Sequence, residues 1–254
     1  MAAIFRIRTP DLSLVPLSVK WTTLRSLLLA SMRVAYYTAL PHIKLSVAAA
    51  IYYTIPLFII LLSTLFTGDK VGLKSWFAIF LGFSGVLTIV RPNTEGFNAY
   101  VLLPLVAAIF YAVAMILTRT KCLHENAKVL SFSLNVTFIV IGLVASLVIF
   151  IWDPTESTIA VNPFLFGEWA QLDSREWSAM CVLAIIIVTG SVFAAVAYQN
   201  GPSSLVATFD YSYLAFSVLW GFLVFAEVPD LLTVIGMIMI VCAGLIAVRE
   251  QKAV

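Results

Sequence analysis

The chain has 254 residues, of which 62% are hydrophobic and only 11% charged; its mean hydropathy is +1.04. An ordinary soluble domain carries about 25% charged residues, and a core of this length cannot hide so much apolar surface, so lipid must be the solvent for much of the chain. The net charge of +2 is too small to point to nucleic acid, and Cys122, Cys181 and Cys242 form neither a CxxC pair nor an even-numbered framework, which leaves no sign of structural zinc or disulfides.

Residues 1–25 do not read as a signal peptide. Arg6 and Arg8 supply a basic start, but Pro10, Asp11 and Pro16 interrupt any apolar h-region. Eight apolar runs then approach the length of about 20 residues that a spanning helix needs. They are Thr22–Leu40, interrupted by Arg33; Ser46–Thr67, uncharged, with Pro56 at its middle; Leu73–Val90; Phe97–Thr118; Val129–Trp152; Glu176–Tyr198; Leu205–Phe225; and Leu231–Val248. A polar break at residues 199–204 separates the sixth from the seventh. Closed barrels are the other spanning solution, but period-two alternation is absent. The fold class is an all-α polytopic membrane bundle. Cys181 and Cys242, both within apolar runs, read as small core residues.

Basic residues orient the bundle. Arg6, Arg8, Lys20, Arg25, Lys70, Lys74, Arg119, Lys121, Lys128, Arg249 and Lys252 fall at one set of ends, and only Lys44, Arg91 and Arg175 at the other. Both termini are therefore expected in the cytoplasm. The longest loop, 153–175, lies outside, either as an interfacial segment or as a plain solvated loop.

The chain also repeats itself. Residues 46–91 laid over 204–249, an offset of 158, match at ten of 46 positions without a gap, including Tyr53/Tyr211, Phe58/Phe216 and Arg91/Arg249. Asp69 and Glu227 coincide, each ending one apolar run just before the next. The second and third spans thus correspond to the seventh and eighth, five helices apart. An odd repeat length inverts the two copies in the bilayer, the arrangement typical of secondary transporters. The domain reading is an incomplete first repeat of three helices at 1–92 and a complete second repeat of five at 97–250.

Two stretches carry a family resemblance. The first is AYYTALPHIKLSVAAAIYYTIPLFIILLSTLFTGDKVG, with its alanine-rich helix start, mid-helix Pro56-Leu57-Phe58, and Asp69 where a Glu is usual. The second is FDYSYLAFSVLWGFLVFAEVPDLLTVIGMIMIVCAGLIAVRE, with Phe225-Ala226-Glu227 in place of a Phe-Gly-Glu-like turn. The chain resembles the EamA type of the drug/metabolite transporter superfamily over about residues 22–250. The resemblance implies ten helices in two inverted five-helix halves, so that about eight are expected here and residues 1–5 correspond to the end of the family's second helix. It implies transport of small metabolites or drugs, in a bacterial inner membrane, without a cofactor.

Asp210 is the sharpest candidate, the only acid well inside an apolar run. Ionised groups there cost about 2.5–3.5 kcal/mol on insertion scales and are functional candidates by default, although acids also favour helix N-termini. Helical spacing puts Tyr213 and Ser217 on its face, as a cavity lining or as a packing seam. Arg33, with Tyr36 and Tyr37 within a turn, can bind an anionic group, pair with Asp210, or snorkel. Pro56 removes a backbone hydrogen bond from the second span and is the candidate hinge. Tyr52 aligns with Asp210 across the repeat, next to the identical pair Tyr53 and Tyr211, and Tyr111, Asn135 and Thr137 add polar groups. The cavity is expected between spans one, two, four, six and seven. His42 and His124 lie on opposite faces and cannot share a metal, and no HExxH, GxSxG or Walker loop occurs, so neither an enzyme nor an ATP-driven pump is indicated. The expected partners are membrane lipid and a small-molecule solute, with a homodimer left open. The rival reading is a non-transporting remnant or partner subunit.

Overall fold

The apolar runs fold as helices, and no strand occurs among the described residues. The computed structural model describes residues 15–67, 72–91, 98–161, 163–167, 171–201, 206 and 211–251. In chain order the helices are α1 (Val19–Ala39), α2 (Leu45–Tyr52), α3 (Ile55–Thr67), α4 (Leu73–Val90), α5 (Leu102–Thr120, preceded by a 3-10 turn at Ala99–Val101), α6 (Ala127–Trp152), α7 (Glu156–Val161), α8 (Pro163–Phe166), α9 (Ser174–Asn200), α10 (Tyr211–Phe225) and α11 (Leu231–Gln251). By length and composition, four stretches among the described residues suffice to cross a membrane: Leu45–Leu62, Ala99–Thr120, Ala127–Trp152 and Ser174–Asn200.

Helix ends follow local chemistry. The Asn126 side chain accepts from the Lys128 N–H at the start of α6, and Asp173 with Glu176 forms a full capping box at the start of α9. That box starts α9 at Ser174, and the helix continues to Asn200, into the stretch expected as a polar break. The 153–175 loop contains two helical pieces, α7 and α8, and the Phe166 ring meets Trp152 edge-on at 5.6 Å. Arg91, Asp153 and Ala226 end α4, α6 and α10 in left-handed conformation, with φ of 48°, 47° and 51°, a terminus at which glycine is the usual occupant.

The second span differs most from expectation. Pro56 does not kink a continuous helix: the chain breaks outright at Tyr53–Thr54, which places Pro56 in the first turn of α3, where a missing N–H costs nothing. The Thr54 hydroxyl donates to the Ile51 carbonyl at 2.8 Å and so satisfies an acceptor freed by the break.

α5 packs along α1 and also touches α2, α3 and α9. Ala107, Ala108, Ala112 and Ala114 line its buried face against Leu29, Met32 and Tyr36. α4 and α11 form the most extensive helix pair. Their contacts run in opposite directions along the two sequences, Gly82 against Ala243 and Ile89 against Gly236, so the helices are antiparallel. A side chain on Gly85 would stand 2.8 Å from the Gly236 carbonyl oxygen, and one on Gly236 would stand 2.7 Å from that of Gly85. Small residues let the two backbones close to this distance. By contrast α6 and α9 turn Leu143, Phe150, Ile185 and Phe193 outward, as lipid-facing helices do. The cysteine expectation inverts: Cys181 and Cys242 are exposed, whereas Cys122, in the α5–α6 connection, is fully buried, and burial pushes its thiol pKa up.

Candidate functional site

Seven tyrosines join edge to edge through the bundle. Tyr37 meets Tyr36 at 6.0 Å between ring centroids, Tyr36 meets Tyr52 at 5.0 Å, and Tyr52 meets Tyr53 at 5.4 Å and Tyr111 at 6.1 Å. Tyr53 reaches Tyr213 at 5.2 Å, and Tyr111 reaches Tyr198 at 6.2 Å. Five helices contribute: α1, α2, α5, α9 and α10. The break after Tyr52 puts two consecutive tyrosines at the hub, since a residue that ends α2 and one in the turn leave the backbone in different directions. Tyr52 donates its hydroxyl to the Met32 sulfur at 3.4 Å. Tyr36 is buried, and its hydroxyl makes no hydrogen bond among the described residues. Tilted and edge-on rings of this kind attract one another through their quadrupoles.

Beside this cluster lies a cavity of about 440 Å³, walled by Ala30, Arg33, Val34 and Tyr37 of α1, Asn135, Phe138 and Ile141 of α6, Ala184 and Ile187 of α9, and Leu165 of α8. That volume falls within the roughly 300–1,000 Å³ of small-molecule pockets. Arg33 lines a largely apolar space to which Asn135 and Tyr37 add polar groups. Its Nη1 donates to the Tyr37 hydroxyl at 3.0 Å, and its guanidinium lies 5.9 Å from the centre of the Tyr37 ring. Among the described residues no carboxylate pairs with it; the ion pair found there is Arg91–Asp230. Arg33 is six residues from the end of α1 at Ala39 and fourteen from its start at Val19, so it sits nearer the end opposite Lys20.

Of the sequence candidates, Tyr36, Tyr37, Tyr52, Tyr53, Tyr111 and Tyr213 thus come together, and Arg33 joins them through Tyr37. Ser217 is buried on α10. Asp210 lies outside the described residues, as does the Tyr211 side chain. The cavity also has a wall the sequence did not assign to it: α6, the fifth span, supplies Asn135, whose amide donates to the Ser131 carbonyl at 2.8 Å. Tyr198 went unnoticed because it closes its span, yet it is among the most buried large side chains.

The end of the bundle that carries Lys20, Arg119 and Lys121 is closed by polar contacts that sequence reading also missed. Buried Glu125 accepts from the Leu17 and Ser18 N–H groups at 3.0 and 2.6 Å, which satisfies donors at the start of α1. Gln199 donates to the Cys122 and Glu125 carbonyls at 2.9 and 2.7 Å. Arg25, expected among the basic residues at this end of the bundle, is almost fully buried, and its Nε donates to the Thr118 hydroxyl at 2.6 Å. At the opposite end Glu227 accepts from the Leu45 N–H at 2.9 Å, tying the start of α2 to the α10–α11 turn. The His42 and Tyr100 rings stack at 3.7 Å there. No group of three or more His, Cys, Asp or Glu suited to a metal occurs among the described residues.

Comparison with known proteins agrees with the fold and the sequence pattern. The model of the EamA-like transporter family matches residues 2–91. The pseudopaline exporter of Pseudomonas aeruginosa is 26% identical over 222 residues, covering 86% of this chain and 71% of its own length. The riboflavin transporter of Rhizobium johnstonii is 27% identical over 232 residues, 91% of this chain and 71% of that protein. The S-adenosylmethionine uptake transporter of Rickettsia prowazekii is 24% identical over 235 residues, 90% and 71% respectively. A solved crystal structure superposes with a TM-score of 0.65 over 100% of this chain and 84% of its own, at 17% identity, a likeness of fold alone.

Proposed function

This chain belongs to the drug/metabolite transporter superfamily, and from that premise we propose that it is a secondary transporter carrying a small metabolite across a bacterial inner membrane by alternating access. The observation that carries the reading is the cavity beside the tyrosine cluster: a largely apolar space with a few placed polar groups, Arg33 among them, in a bundle whose Lys20 end is tied by polar contacts. A carrier needs one side open while the other is shut. With Arg25, Arg119 and Lys128 marking the cytoplasmic ends, this conformation is closed toward the cytoplasm, and the C-terminus is cytoplasmic.

The two-repeat organisation is part of the same proposal. The offset of 158 carries Gly85 onto Ala243 and Ala78 onto Gly236. Gly85 meets Gly236, and their counterparts Ala243 and Ala78 are buried together in one cluster. A two-fold axis between α4 and α11 requires such a crossed pairing, which supports inverted halves that rock about this seam. Pro56 and the break before it let α3 swing relative to α2, and Arg33 and the tyrosines contact the solute. Asp210 remains a candidate for solute or coupling-proton contact. Relatives act on riboflavin and S-adenosylmethionine, so these two, with the apolar monocarboxylates 3-phenylpropionate and indole-3-acetate, form the first panel. Protein reconstituted in liposomes and preloaded with unlabelled solute should accumulate labelled solute by counterflow. Absence of counterflow for every member, with protein shown to be folded and inserted, would refute transport by this chain.

A further inference from the structure

We propose that Arg33 is the anchor for the carboxylate of an amphipathic monoanionic solute, whose apolar body fills the space between α1, α6 and α9. This inference rests on the transport reading above and names the chemistry of its solute. Arg33 Nη1 is committed to the Tyr37 hydroxyl, which fixes the guanidinium plane. Nε and Nη2, on the other edge, have no partner among the described residues, and that edge offers two parallel N–H donors. Such a fork matches a carboxylate in bidentate fashion. A permanent cation at membrane depth is costly when left alone, and among the described residues the cavity supplies no carboxylate to neutralise it. Apart from Tyr37 and the Asn135 amide, its walls, Ala30, Val34, Phe138, Ile141, Leu165, Ala184 and Ile187, contribute hydrocarbon. One fixed positive charge in an apolar chamber selects one negative charge on an apolar frame. A dianion would leave a second charge without a partner, and a neutral analogue would leave the guanidinium unsatisfied.

Two sources can present that chemistry, a dissolved carboxylate or the acidic headgroup of a lipid entering between α6 and α9, and the test separates them. The probes are 3-phenylpropionate and indole-3-acetate, each beside its uncharged amide. Binding is read by intrinsic fluorescence and thermal shift on the full chain in nanodiscs of phosphatidylcholine alone or with phosphatidylglycerol. At least one acid should bind in both lipids, at least tenfold more tightly than its amide. Arg33→Gln should abolish that preference without lowering the melting temperature, and Arg33→Lys should keep part of it, since a point charge retains the attraction but not the fork. Equal binding of acid and amide, an unchanged Arg33→Gln variant, or no binding of either acid would overturn the assignment. Acid binding that disappears in the acidic lipid would overturn it in favour of the headgroup. The two readings fail separately. Charge-selective binding without counterflow refutes transport and leaves the anchor standing. Counterflow of the acids unaffected by Arg33→Gln refutes the anchor and leaves transport standing.

Discussion

Gly236→Ala tests the α4–α11 seam. The added methyl would stand 2.7 Å from the Gly85 carbonyl oxygen and 2.5 Å from Ile89 Cγ1. The Ile89 side chain can turn away, but the carbonyl belongs to the backbone of α4, so relief requires the two helices to separate by several tenths of an ångström along their whole contact. Overpacking of this kind costs about 1–3 kcal/mol. Alanine in place of a helical glycine returns up to about 1 kcal/mol, and the net expectation is a loss of about 1–2 kcal/mol. Gly142→Ala and Gly190→Ala provide the control, because a methyl at either position would enter open space, with no neighbouring helix within 4 Å; these two should be neutral or slightly stabilising. Gly85→Ala should resemble Gly236→Ala, and the double variant should lose less than the sum, since one separation accommodates both methyls. Reversible unfolding in mixed micelles reads all five proteins. Gly236→Ala as stable as Gly142→Ala would refute a backbone-limited seam, and strict additivity of the pair would refute a shared contact.

Ala226→Gly should stabilise the protein by about 1 kcal/mol in the same assay, because φ of 51° strains an alanine and suits glycine. Glu125→Ala should cost about 1–3 kcal/mol by stranding the Leu17 and Ser18 N–H groups, and in labelling experiments should raise the accessibility of Cys122 to thiol reagents. Asp230 is held well below its ordinary range, at about 2, by the Thr233 hydroxyl and Arg91. A depressed carboxylate stabilises the fold above its unfolded pKa, and that contribution fades as pH falls from about 4 through about 2; since the pair is exposed, Asp230→Asn should cost at most about 1 kcal/mol at pH 7 and nothing once the pH is well below the folded pKa. Pro56→Ala should leave stability nearly unchanged and slow counterflow several-fold by letting α2 and α3 join.

The sequence carried the fold class through runs that only lipid could solvate, and it carried most of the aromatic cluster because Tyr36, Tyr37, Tyr52 and Tyr53 come in adjacent pairs. It left the form of the break in the second span open, since a proline reads equally as a kink or as the first turn of a new helix, and the tertiary environment of Tyr53 and Thr54 decides between them. Glu125 and Gln199 were invisible for a similar reason. Each sits where a loop residue should sit, and its partner is remote in sequence: 107 residues separate Ser18 from Glu125. Only packing shows that such residues are buried.

The bond from Leu45 to Glu227 has a consequence in time. The two residues are 182 positions apart, and at about 5–20 residues per second the acceptor follows the donor from the ribosome by roughly 10–35 s. Throughout that interval the start of α2 is an uncapped helix end beside the bilayer. The first hub of the tyrosine cluster therefore takes its final place only when the last hairpin is inserted, so a ribosome that stalls before Glu227 should leave the N-terminal helices threaded through the membrane but unlocked.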